Sequence, residues 1–121
     1  NYRTQPPVDP IEKPIALYHA LPHALMTPFG EEISGSFYVN VGSVMERKKA
    51  ALQAHRSQHE WLDRSQGMSS YLESMVETTR QMGRQSQSFK WAEGWVPHAH
   101  LGFCSPEDRP LQEALTDSVT L

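Results

Sequence analysis

The chain has 121 residues, 38% hydrophobic and 21% charged, with a formal net charge of −3. That length holds one domain at most and buries about two thirds of its unfolded surface. With no basic block, no aromatic–basic interleaving and no run of about 18 apolar residues, neither nucleic acid nor a membrane is an expected partner.

Asn1 to Pro14 carries four prolines and reads as extended or loop-like. It lacks the charged start and apolar run of a signal peptide. It also opens without Met, which reads as a segment of a longer protein. Ile15-Ala-Leu-Tyr-His19 predicts a short buried strand between Pro14 and Pro22. Met26 to Ser36 is loop. Phe37 to Val41 predicts a second strand, broken by Gly42.

Ser43 and Glu46 have capping-box spacing and predict a helix over 43–63. Its expected buried side carries Val44, Ala51, Leu52, His55, His59 and Leu62. Ser70 and Glu73 repeat the box and predict a helix over 70–84, with a stripe of Leu72, Met75, Val76, Thr79 and Met82 and a fraying end at Gly83. Residues 89–96 alternate and predict a strand with Phe89, Trp91, Glu93 and Trp95 on one face. Pro97 to Gly102 is loop. Residues 105–121 read as a polar C-terminal tail, with a short amphipathic turn around Leu111 to Leu115. The domain boundaries expected are 1–104 and 105–121.

The chemistry-bearing residues are few. Cys104 is the single cysteine, which excludes an internal disulfide or a cysteine metal site and suits a reducing, cytoplasmic compartment. It does not sit on a strand-to-helix elbow, so a structural thiol is its expected role. Six histidines call for a test of metal binding. His55 and His59 are four apart on one predicted helix, a spacing that chelates zinc. Their segment is His-Arg-Ser-Gln-His-Glu, without the Glu between the histidines that a metalloprotease uses. Burial with hydrogen bonding is the more frequent outcome for such a pair. Pro22 forbids an ordinary helix between His19 and His23, and His98 and His100 form a third pair on an extended segment. No glycine-rich loop with phosphate-cradling spacing is present.

The order of elements carries a resemblance. The strand Phe37-Tyr-Val-Asn-Val41 is followed by a helix with Lys48-Lys-Ala-Ala-Leu52, then Ala54-His-Arg-Ser-Gln58. Tyr71 and Arg80-Gln-Met-Gly83 come next, then Trp91-Ala-Glu-Gly-Trp95. Over about Ile15 to Trp95 this resembles the C-terminal half of LmbE-like (PIG-L type) zinc-dependent de-N-acetylases. That family shows a Val-Asp-Ile strand, a Lys-containing helix ending in Ala-His-x-Ser-Gln and a late Tyr-Ala-Glu-Gly-Phe-like strand. Here Asn40 stands where Asp is usual, and Trp91 and Trp95 stand where Tyr and Phe are usual. The family's two zinc motifs, Ala-His-Pro-Asp-Asp-Glu-type and His-Pro-Asp-His-type, do not occur, so no catalytic or metal-ligating residue carries over.

The resemblance implies a Rossmann-like α/β fold, with short strands about 15–19, 37–41 and 89–96. It implies that the parent protein is a hydrolase removing N-acetyl groups from amino-sugar conjugates, with zinc as the parent's cofactor. This segment alone is then expected to be inactive, with the missing N-terminal half of the same protein as its partner. His19, His23, His55, Trp91 and Glu93 are the residues it places nearest the substrate pocket. Two alternatives stand beside it. One is a non-enzymatic α/β module that binds a partner or self-associates through an unpaired sheet edge. The other is a small histidine-based metal-binding protein.

Overall fold

A computed structural model describes residue 9, residues 11–55 and residues 68–120. Among these, four strands and three α-helices form a mixed α/β unit. They are β1 (Tyr18–Ala20), β2 (Phe37–Asn40), α1 (Met45–Gln53), α2 (Met68–Ser86), β3 (Ala92–Pro97), α3 (Pro110–Ala114) and β4 (Val119–Thr120). No helix among the described residues is long and apolar enough to cross a membrane.

Phe37-Tyr-Val39 is a run of aromatic and β-branched residues that fits a pleated, covered surface, and all three are buried. β2 pairs antiparallel with β3, placing Phe37 opposite Trp95, Val39 opposite Glu93 and Asn40 opposite Ala92. β1 joins the other side of β3, with His19 opposite Val96. β4 joins the other side of β2. The spatial order is β1-β3-β2-β4. This corrects the expectation of a Rossmann-like sheet, because every pairing is antiparallel and the order is not that of a doubly wound fold. A parallel pair needs a covered crossover between its strands. Here β2 and β3 run opposite ways although α1 and α2 lie between them in sequence.

Side chains alternate across the sheet, so the register sorts them onto two faces. One face carries Phe37, Val39, Glu93 and Trp95. Its core of Phe37, Val39, Val41 and Met45 is covered by Met75, Val76, Leu111, Leu115 and others. The other carries Tyr38, Ala92 and Gly94, and packs Tyr38 and Ala92 with Leu25 and Met82. Phe89, expected in line with Trp91 and Trp95, precedes the strand and packs in this second cluster instead.

Several boundaries move. The predicted strand 15–19 forms only at its end, over Tyr18–Ala20, as a sheet edge; Ile15 and Leu17 are 51% and 41% exposed. Ile15 donates its N–H to the Phe103 carbonyl rather than entering the ladder. The capping box at Ser43 does not form. Asn40 Oδ1 accepts the Gly42 N–H at 2.9 Å, a short 3-10 turn follows over Gly42–Val44, and α1 starts at Met45 with no side-chain cap. That turn sets the helix phase, so Met45 is buried while Val44, Ala51 and His55 are exposed. The expected stretch to residue 63 includes 56–67, outside the described residues.

α2 keeps the predicted stripe, with Thr79 and Met82 buried, but it begins at Met68 and runs to Ser86. Gln87 ends it in the left-handed region at φ 57, and the buried Ser86 hydroxyl accepts the Phe89 N–H at 3.1 Å. Gly83 is therefore no fraying end. It sits where the chain returns, and a Cβ there would meet the Lys90 carbonyl oxygen at 2.5 Å. Residues 105–121, expected to be a polar tail, supply α3 and β4. Pro110 opens α3, and the Tyr18 hydroxyl accepts the Leu111 N–H at 3.4 Å.

Gly83→Ala tests the close approach. In an open helix the change stabilises by about 1 kcal/mol. Here the backbone clash reverses the sign, and a net loss of about 1–3 kcal/mol is expected in urea unfolding.

Candidate functional site

The Lys-containing helix and the Trp91-Ala-Glu-Gly-Trp95 segment meet at one ion pair. Lys48 projects from α1 one turn beyond the buried Met45, and Glu93 projects from β3. Their Nζ and Oε1 atoms lie 2.7 Å apart, with side chains 25% and 33% exposed. Lys48 also donates to Thr79 Oγ1 on α2 at 3.0 Å. Thr79 is 1% exposed and donates its own proton to the Met75 carbonyl at 2.8 Å. Its lone pairs are therefore left for Lys48, and one ammonium ties three elements together. No polar side-chain atom buried among the described residues lacks a partner.

Beside the pair lies an open groove of about 250 Å³, walled by Ala20, Leu21, Met82, Gly94 and Trp95. Its character is an apolar trough with one cation and one carboxylate at its wall. Such a trough suits an amphiphilic ligand better than a bare ion.

The remaining predicted site residues separate. Trp91 and Glu93, two apart, share a face. The Arg80 guanidinium stands 5.0 Å from the Trp91 ring centre and the Lys90 ammonium 5.6 Å. Arg80 is in turn held by Glu77 at 2.6 Å, which also binds Arg84 at 2.8 Å. The Arg84 hydrogen bond is the largest influence and, with the Arg80 and Arg84 charges, holds the Glu77 carboxyl below the ordinary carboxylate range against the opposing effect of burial. His19 lies on the opposite face of the sheet from Glu93, since it stands opposite Val96 and not Trp95. Its Nε2 is 2.7 Å from His98 Nδ1. His23 lies against α2, with Nε2 2.9 Å from Ser74 Oγ and Nδ1 3.3 Å from Thr78 Oγ1. His55 is exposed just past α1. Its expected companion His59, and Gln58 of the Ala-His-Arg-Ser-Gln element, lie outside the described residues.

Sequence reasoning missed Lys48 as a site residue. The signal was its spacing of three from Met45, legible only once the start of α1 is known. It also missed the His19–His98 contact, because strand pairing across 79 positions leaves no local trace.

The zinc implied by the resemblance finds no ligand set here: among the described residues, no group of three or more His, Cys, Asp or Glu side chains could hold a metal. No family model, curated protein or solved structure matches this chain.

Two predictions follow the geometry. In a double-mutant cycle of Lys48→Met and Glu93→Gln, a coupling of about 1 kcal/mol is expected by urea unfolding, given the partial exposure of the pair. The Lys49→Met, Glu46→Gln cycle, on the solvent side of α1, should give near zero. Glu77 sets a pH dependence. Because its carboxyl is depressed in the folded state, its contribution is present above the unfolded value and lost as pH falls through the lower folded one. The stability advantage of wild type over Glu77→Gln should therefore be present at neutral pH and decline as the pH falls below the ordinary carboxylate range through the lower folded value.

Proposed function

We propose that this chain is the C-terminal portion of a zinc-dependent de-N-acetylase of the LmbE-like type, whose parent removes N-acetyl groups from amino-sugar conjugates in the cytoplasm. The observation that carries this reading is the Lys48–Glu93 pair. It joins the Lys-Lys-Ala-Ala-Leu helix to the Trp-Ala-Glu-Gly-Trp strand. The Val41 N–H adds a bond to the Trp91 carbonyl at 3.0 Å, where the first strand of the pattern meets the last. Three parts of the pattern that are far apart in sequence thus pack together, while most of the Ala54-His-Arg-Ser-Gln58 element lies outside the described residues.

In this reading the four-stranded unit flanks a Rossmann-like sheet supplied by the front half, and the groove beside Glu93 forms part of the wall for the sugar conjugate. When bound in the parent, zinc would polarise the acetamide carbonyl and activate water. The residues of this chain position and enclose the substrate, and none of them is assigned a proton transfer. The segment by itself is inactive.

The decisive measurement is the reading frame upstream of Asn1. A His-Pro-Asp-Asp-type motif there supports the proposal, and its absence sinks it. Release of acetate from N-acetylglucosamine conjugates by the 121 residues alone, at an enzymatic rate, would equally overturn it.

A second reading, a self-associating module without catalysis, is favoured by one feature. Ile15, Leu17, Leu101 and Phe103 are all exposed near the β1 edge, at 51%, 41%, 75% and 45%. Light scattering distinguishes the two: a concentration-dependent dimer that Leu17→Lys disperses supports association, and a monomer at all concentrations excludes it.

A further inference from the structure

The contact between His19 and His98 belongs to neither reading. Both side chains are exposed, with Nε2 of one 2.7 Å from Nδ1 of the other. The backbones that carry them are fixed. His19 stands opposite Val96 in the β1–β3 ladder, and the His98 N–H donates to the Leu17 carbonyl at 2.9 Å. The two imidazoles are therefore diagonal neighbours on one sheet face. Phe103 braces the His98 ring edge to face, with centres 5.2 Å apart.

We propose that His19 Nε2 and His98 Nδ1 form a two-point chelate for a divalent transition-metal ion of the Cu2+ class. Imidazole nitrogen is a favoured donor for copper. Two nitrogens bound at ~2.0 Å and a right angle lie about 2.8 Å apart, against roughly 3.3 Å at the tetrahedral angle. The hydrogen-bonded nitrogens lie 2.7 Å apart, close to either spacing, and the order of divalent-ion affinities for nitrogen donors favours Cu2+ over Zn2+. In the hydrogen-bonded state the ring nitrogens point at one another, with ring centres 4.9 Å apart and planes at 47°. Binding turns both rings until their lone pairs converge on the ion, a motion about soft terminal torsions of exposed side chains. Each imidazole stays neutral, its proton on the nitrogen away from the metal. Water fills the other coordination positions on the open side. The ladder positions His19, and the bond from the His98 N–H to the Leu17 carbonyl ties the second donor to the same edge.

The test uses the untagged 121-residue chain and Cu2+ alone, followed by isothermal titration and by electron paramagnetic resonance. One equivalent is expected to bind, with two equatorial nitrogens in the spectrum and tighter than Zn2+. His19→Gln on β1 and His98→Gln just past β3 should each weaken binding about a hundredfold by removing one arm of the chelate. Each should also leave a single nitrogen in the spectrum and the far-ultraviolet circular dichroism unchanged. Cu2+ binding that survives both substitutions, or that is abolished by His55→Gln instead, overturns the proposal. Failure to bind one equivalent of Cu2+ does the same and leaves the de-N-acetylase reading untouched.

Discussion

The register between β2 and β3 is the constraint on which the rest of this molecule depends. These two strands are the inner pair of the sheet, and each carries one edge strand on its other side. Because side chains alternate, a slip of one residue would exchange the faces of every side chain on one strand. Phe37 would leave the cluster that holds Val41 and Met45, and Tyr38 would lose Gln85, its hydroxyl's partner at 3.2 Å. Gly94 reinforces the register, since Tyr38 lies opposite it and a Cβ there would meet the Leu21 side chain at 2.5 Å. Burial on both faces sets the strand pairing, and the pairing then decides which polar groups meet.

Glu93 shows how that decision reaches the candidate site. It faces the same way as Phe37 and Trp95, which are apolar, and so stands at the margin of a core. A carboxylate in that position needs a cation and donors in reach. Lys48 supplies both, and Thr79 absorbs part of the ammonium's remaining hydrogen-bonding capacity. The pair contributes little net stability at its exposure. Its larger effect is geometric: it fixes α1 and α2 relative to β3, and so sets the wall of the groove. A stabilising contact and a positioning contact are the same atoms here.

How much of this was legible in the sequence depended on the range of the forces involved. The α2 stripe was legible because Leu72 to Met82 repeat with the helix period, and the same elements bury them. The Phe37 strand was legible from three adjacent β-forming residues. Start points were not. The Asn40 side chain captured the Gly42 N–H, and Ser43 lost its capping role to a turn that no propensity rule ranks first. The C-terminal segment looked like tail because its few apolar residues, Leu111, Leu115 and Val119, are meaningful only against Phe37. The parallel-sheet expectation came from the resemblance alone, and nothing in residues 1–121 specified strand direction until the β2–β3 pairing was known. Of the candidate site residues, Trp91 and Glu93 were placed on one face by simple alternation. The separation of His19 from them follows from a pairing with β3 that is invisible locally.

β1 is where the functional readings of this chain converge. It is three residues long, pairs with β3 on one side, and meets no further strand among the described residues on the other. A sheet edge presents a row of backbone donors and acceptors in the plane of the sheet. Side chains stand perpendicular to that plane. An added strand, from a front half of the protein or from another copy, would use the in-plane row. The His19–His98 contact uses the space above it. Assembly at the edge and chelation on the face therefore compete for no atom.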